Sequence, residues 1–210
     1  MTYPAGDLRD QLAQVGAAAV AAGLVVGSGG NLSAREPGSD TCWVTGTGTW
    51  LDRLGRDSFA RIRIADGTVL DRPGGVAPSS EWRLHAATYR ARPDVNAVVH
   101  LHPQTSVLLS VLDEPIVLVT SDHRLYLREV AVVPFSPPGG DEVADAAAAA
   151  CAGGCDAVVL AHHGCSVLGA DVEMAHRRAF NLEEAARLTL TGLMLRRTPP
   201  ACPAWTGTTA

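Results

Sequence analysis

Apolar residues recur at helical spacing over residues 7–24, where Leu8, Leu12, Val15 and Ala19 form one stripe and Gly23 offers a stop. The pattern then changes to short alternating runs. Thr41–Thr45 reads as a strand, and 61–64 with 68–70 read as a hairpin closed by Asp66-Gly67. Helical spacing returns after Pro78-Ser79-Ser80, which supply helix-start chemistry with Glu81 in the first turn. Trp82, His85, Ala86 and Tyr89 form the packing stripe of that helix, so His85 reads as a core histidine. Pro93 disfavours helical geometry at Arg92 and ends the element.

From Ala97 to His102 the chain alternates with period two. Val98, His100 and His102 share one face, and Val99 and Leu101 the other. Pro103 closes the strand and a helix is expected over 104–112. The apolar runs 116–119, 130–133 and 156–161 read as further strands, with 121–126 a polar loop between the first two. Helices are expected at 141–152 and 171–197. Residues 198–210 offer little to bury and are expected to be a mobile tail, so that 1–197 make a single domain without repeat or linker.

Composition narrows the partners. All 17 basic residues are arginines, against 22 carboxylates, for a net charge of -5 with no basic run. Nucleic acid is therefore not an expected partner, because phosphate-backbone binding needs clustered cations. Apolar runs break well short of the roughly 18 residues of a membrane span, so no membrane association is expected. The first residues lack the basic-then-apolar order of a secretory signal, and the expected compartment is the cytoplasm. The five cysteines, at 42, 151, 155, 165 and 202, have no zinc-ribbon spacing and read as reduced bystanders. The missing lysine excludes Schiff-base chemistry and a P-loop. A carbanion beside a carbonyl would then need a metal as its electrophile, unless an organic cofactor were added.

The histidines supply one. Two imidazoles on one strand face, roughly 6–7 Å apart between Cα atoms, can converge on a single ion. Buried without partners they would be costly. The candidate set is Glu81, His100, His102 and one of His162 and His163. Three turns rich in small residues, at 27–35, 46–49 and 78–80, offer backbone N–H and hydroxyl donors. Ser79 and Ser80 sit at a helix start, a natural anion site.

The motifs Gly30-Asn-Leu-Ser-Ala-Arg35, Thr45-Gly-Thr-Gly48, Pro78-Ser-Ser-Glu81, the run from Arg92 to His102, and Leu160-Ala-His-His-Gly164 occur in one order. In that order and approximate spacing the chain resembles the class II aldolase/adducin family over nearly its whole length. The resemblance implies a three-layer α/β/α fold around a central, mostly antiparallel sheet. It implies zinc, or another divalent ion such as Mn2+ or Co2+, held by His100, His102 and His163. Glu81 is implied as the acid/base, and as a further metal ligand when substrate is absent. Gly30, Asn31, Thr47, Gly48, Ser79 and Ser80 are implied as the phosphate pocket. The implied reaction is retro-aldol cleavage of a short phosphorylated ketose of the L-fuculose-1-phosphate kind, in a homotetramer whose sites neighbouring subunits complete.

Relatives by resemblance also include pentulose-phosphate 4-epimerases, 3-keto sugar-acid phosphate decarboxylases, dehydratases and the non-enzymatic adducin head. Retention of Glu81 and three histidines argues against the last. The family's aldolases use a neighbouring subunit's tyrosine at the aldehyde end. The matching position here falls near Val119, which cannot transfer a proton, and Asp122, His123 and Tyr126 follow as candidates to replace it.

Overall fold

The computed structural model describes residues 6–204. Among the described residues, eight strands form one sheet in the order β4-β3-β2-β1-β5-β8-β7-β6. They are β1 (Asn31–Ala34), β2 (Thr41–Thr45), β3 (Phe59–Arg63), β4 (Val69–Asp71), β5 (Ala97–Leu101), β6 (Ala131–Val133), β7 (Ala157–Leu160) and β8 (Gly164–Gly169). All pairings are antiparallel except β6 with β7. The helices are α1 (Leu8–Ala21), α2 (Trp82–Ala91), α3 (Gln104–Val111), α4 (Ser121–Tyr126), α5 (Asp141–Ala152) and α6 (Val172–Met194).

Period-two alternation decides which layer each strand residue meets. Leu32, Ala34, Ala97, Val99, Leu101, Val159, Cys165 and Val167 pack toward α1 and α6. Val44, Ile62, Val98, Val158, Leu160 and Leu168 pack toward the paired helices α2 and α5. The short helices α3 and α4 lie against α6. This is the expected three-layer α/β/α arrangement, with the central strands buried on both faces.

Four local expectations change. Residues 116–119 form no strand. Their polar backbone is satisfied otherwise, with Val117 N–H donating to Thr189 Oγ1 and Leu118 C=O accepting from the Cys202 N–H. The polar stretch 121–126 is helix α4, because Thr120 caps it and His123 caps back. A histidine takes the position that Glu or Gln holds in the usual capping box, which hides the signal. Strand β8 is an addition, concealed by glycines at both ends and by Ser166 in its middle. Finally, Glu81 is the residue before α2 and not part of its first turn. Ser79 Oγ accepts from the Glu81 N–H and turns the chain just ahead of the helix.

Candidate metal centre

His100 stands on β5 on the side facing α2, as the alternation requires, and is fully buried. His102 follows one residue beyond the strand. His163 comes from the tight turn between β7 and β8, where its N–H donates to Leu160 C=O. Its neighbour His162 adopts φ 60, a left-handed conformation uncommon outside glycine. That turn leaves His162 exposed and carries His163 inward. Antiparallel β8, hydrogen-bonded along β5, brings the turn back over the end of β5.

The three rings form a near-equilateral group with centroids 5.0, 4.9 and 4.9 Å apart. Nε2 of His100 is 3.0 Å from Nε2 of His102. Glu81 Oε2 lies 3.3 Å from His100 Nε2, and Oε1 lies 3.2 Å from His163 Nε2. One ligand atom from each of Glu81, His100, His102 and His163 lies within 4.8 Å of all the others. His85 and His162 stay outside this group.

Glycines admit this crowding. A Cβ on Gly29 would come 2.9 Å from His102 Nδ1, and one on Gly164 would come 2.6 Å from His102 Cδ2. His102 is thus held between two residues without side chains. Both glycines lie in stretches singled out in the sequence, but their role beside His102 depends on a contact across the fold that no local pattern shows.

The electrostatics suit a cation. Burial acts to raise the Glu81 carboxyl, but the His100 and His163 imidazoles outweigh it and hold it well below the usual carboxylate range. Burial, assisted by the same two neighbours as like charges of His102, pushes His102 down to about 4. At neutral pH the cluster therefore presents an anionic carboxylate and an imidazole lone pair. Glu81 Oε1 is buried without a hydrogen-bond partner, its approach to His163 being poorly aligned. Three imidazoles and an oxygen ligand are a donor set that fits zinc or a similar divalent ion.

The small-residue turns adjoin this cluster. Gly46 and Pro78 pair in an isolated bridge, Thr47 N–H donates to Ala77 C=O, and Ser79 N–H donates to Thr45 C=O. The Thr47-Gly48 and Ser79-Ser80 turns are thereby side by side, with Thr47, Gly48 and Ser80 exposed. Gly30, at φ 80, runs tight against the backbone of β5. The Asn31 side chain is directed at Glu81, its Nδ2 donating to Oε2 at 2.7 Å. A cleft of about 520 Å³ opens beside His102 and His163, lined further by Gln104, Thr105, Val107, Leu108 and Val111 of α3.

Residues 10–190 match the family model described as class II aldolase and adducin N-terminal domain. The chain belongs to this family. It is 35% identical over 173 residues to L-fuculose phosphate aldolase of Methanocaldococcus jannaschii, covering 82% of this chain and 90% of that one. It is 34% identical over 197 residues to 3-oxo-tetronate 4-phosphate decarboxylase of Haemophilus influenzae, covering 90% of each. The solved structure of an L-fuculose 1-phosphate aldolase superposes with TM-score 0.79 at 26% identity for the Thermus thermophilus protein, over 93% of this chain and 98% of that one. The chain is thus an enzyme of the class II, metal-dependent aldolase type, with a cluster able to hold the metal.

Asp122, His123 and Tyr126 do not join the cluster within one chain. They lie on α4, which packs on α6. His123 is fully buried; its Nδ1 accepts from the Val119 and Thr120 N–H groups. Tyr126 hydroxyl accepts from Arg177. None of the described helices is long and apolar enough to cross a membrane.

Proposed function

We propose that this enzyme cleaves a short ketose 1-phosphate of the L-fuculose-1-phosphate kind to triose phosphate and an aldehyde. Zinc is the proposed metal, held by His100, His102 and His163. When bound it supplies the positive charge that stabilises an enediolate at the carbonyl and its neighbouring hydroxyl. Glu81 moves the proton at the carbon that carries the enediolate charge. In the synthetic direction its carboxylate removes that proton from triose phosphate; in cleavage the carboxyl returns it. Gly30, Asn31, Thr47, Gly48, Ser79 and Ser80 are the proposed phosphate donors, neutral groups that hold the dianion without lysine. The observation that carries this reading is the buried, unpartnered Glu81 Oε1 aimed at the histidine cluster. We place the enzyme in the cytoplasm as a homotetramer whose neighbours complete each site.

A second reading, decarboxylation of a 3-keto sugar-acid phosphate, has its own support. A departing aldehyde needs a group to take its hydroxyl proton, whereas carbon dioxide leaves with no proton to hand over. Val119 offers no such group and His123 is spent as a cap, which leaves Asp122 and Tyr126 as the remaining candidates. One screen decides between them. Zinc-loaded enzyme is given phosphorylated ketoses and keto-acids, and triose phosphate, carbon dioxide and epimerised sugar are followed separately. Aldehyde release from a ketose 1-phosphate supports the first reading. Carbon dioxide release alone replaces it with the second, and epimer alone excludes both.

A further inference from the structure

A buried hydrogen-bond chain runs from Glu81 away from the metal cluster. Asn31 Nδ2 is 2.7 Å from Glu81 Oε2, and Asn31 Oδ1 is 2.5 Å from His85 Nε2. His85 Nδ1 is 2.7 Å from Ser33 Oγ, which is 2.7 Å from the Tyr89 hydroxyl. All five residues are at most 8% exposed.

The chain follows from two periodicities. On β1, Leu32 and Ala34 enter the α1/α6 core, so Asn31 and Ser33 project toward α2. Residues two apart on a strand are separated by about 6.6 Å, and residues four apart on a helix by about 6 Å along the axis. Asn31 and Ser33 therefore interleave with Glu81, His85 and Tyr89, which are spaced four apart.

The donors are fixed by elimination. An ionised carboxylate only accepts, so Asn31 must turn Nδ2 toward Glu81 and Oδ1 toward His85. His85 must then carry its proton on Nε2, leaving Nδ1 to accept from Ser33 O–H, whose oxygen accepts from Tyr89 O–H. Every bond points toward Glu81. The far end is closed: Tyr89 is buried, with the Arg35 guanidinium 4.7 Å from its ring centre. A path with no outlet to solvent cannot deliver protons, but it can hold a side chain still.

The geometry points to His85, with Ser33 behind it, as a positioning residue for the reaction: the Ser33–His85–Asn31 chain clamps Glu81 Oε2 and reserves Oε1 for the substrate proton. This rests on the role proposed above for Glu81.

Nitrogen-15 NMR of histidine-labelled, zinc-loaded protein tests the chain independently of turnover. His85 is expected as a single Nε2–H tautomer from pH 6 to 9. A protonated Nδ1 overturns the chain, even if the enzyme proves inactive on every sugar phosphate. Ser33→Ala removes the hydrogen bond to His85 Nδ1 and loosens the ring; it is expected to lower kcat roughly tenfold, with KM within about twofold and zinc stoichiometry unchanged. Tyr89→Phe keeps the volume and the Ser33–His85 bond, so its kcat should fall less than that of Ser33→Ala. Wild-type kcat in folded Ser33→Ala, or a loss of zinc in step with kcat, overturns the positioning role. If Ser33→Ala does not fold, a larger loss of kcat in Tyr89→Phe than in a conservative His85→Gln variant overturns it instead.

Discussion

A Cβ on Gly164 would sit 2.6 Å from Cδ2 of His102, nearer than real Cβ atoms approach any neighbour. It would also run into the Leu101 backbone oxygen, so a side chain at 164 must displace the end of β5 together with His102. Gly164→Ala should therefore weaken metal binding about 10- to 100-fold, the usual scale for losing a ligand's supporting contacts. Chelator competition measures it. Gly153→Ala is the control, with nothing within 4 Å of the new Cβ, and should bind metal as the wild type does. Equal affinity in Gly164→Ala would mean that the absence of a side chain at 164 does not position His102.

Glu81→Gln keeps shape and removes the carboxylate proposed to transfer the proton. Turnover should fall by about 10²- to 10⁴-fold, the contribution of a positioned acid/base. Metal content should stay stoichiometric, since three histidines remain. Retained turnover in this variant would sink the assignment of Glu81.

Acid stability reports on the histidines that burial holds neutral, His102 among them in metal-free protein. Burial pushes His85 down to about 3 and His176 down to about 4. Each is neutral in the fold at pH 5 but largely protonated once unfolded, since the unfolded value is about 6.5. The unfolded chain then binds more protons, so stability is full above about pH 6.5 and is lost as pH falls toward 4. Each histidine contributes a slope of at most about 1.4 kcal/mol per pH unit. Urea midpoints of metal-free protein should fall between pH 7 and pH 5, above the range where most carboxylates titrate. A flat profile contradicts the neutral state of these rings in the fold.

Thiol labelling tests the core. Cys42 and Cys165 are buried, and burial pushes both thiols up to about 12. Cys151 and Cys155 are also buried, leaving Cys202 as the accessible thiol. A disulfide reagent at pH 8 should modify one thiol in the native protein and five after unfolding.

Much of this was legible because local and long-range demands agreed. The helix at 141–152 and the strand Thr41–Thr45 lie where their patterns put them. The shared face of His100 and His102 follows from period two alone. Where the readings diverged, a partner distant in sequence had decided. Residues 116–119 have the apolar character of a strand, yet Thr189 and Cys202 satisfy Val117 and Leu118. Strand β8 alternates Cys165 and Val167 with Ser166 and Leu168, but its glycine ends read as loop. His85 was legible as a core histidine and not as the link between Ser33 and Asn31, because that link needs α2 laid across β1.

Under the proposed function, Glu81 would form an enediolate of triose phosphate beside the metal that His100, His102 and His163 would hold. The direct measurement is proton NMR of dihydroxyacetone phosphate in D2O with zinc-loaded protein, and it does not depend on knowing the other product. One of the two hydrogens on the hydroxymethyl carbon should exchange stereospecifically in the wild type, and neither in Glu81→Gln or in chelated enzyme. No exchange by stoichiometrically loaded wild-type enzyme, or undiminished exchange in Glu81→Gln, would contradict the account.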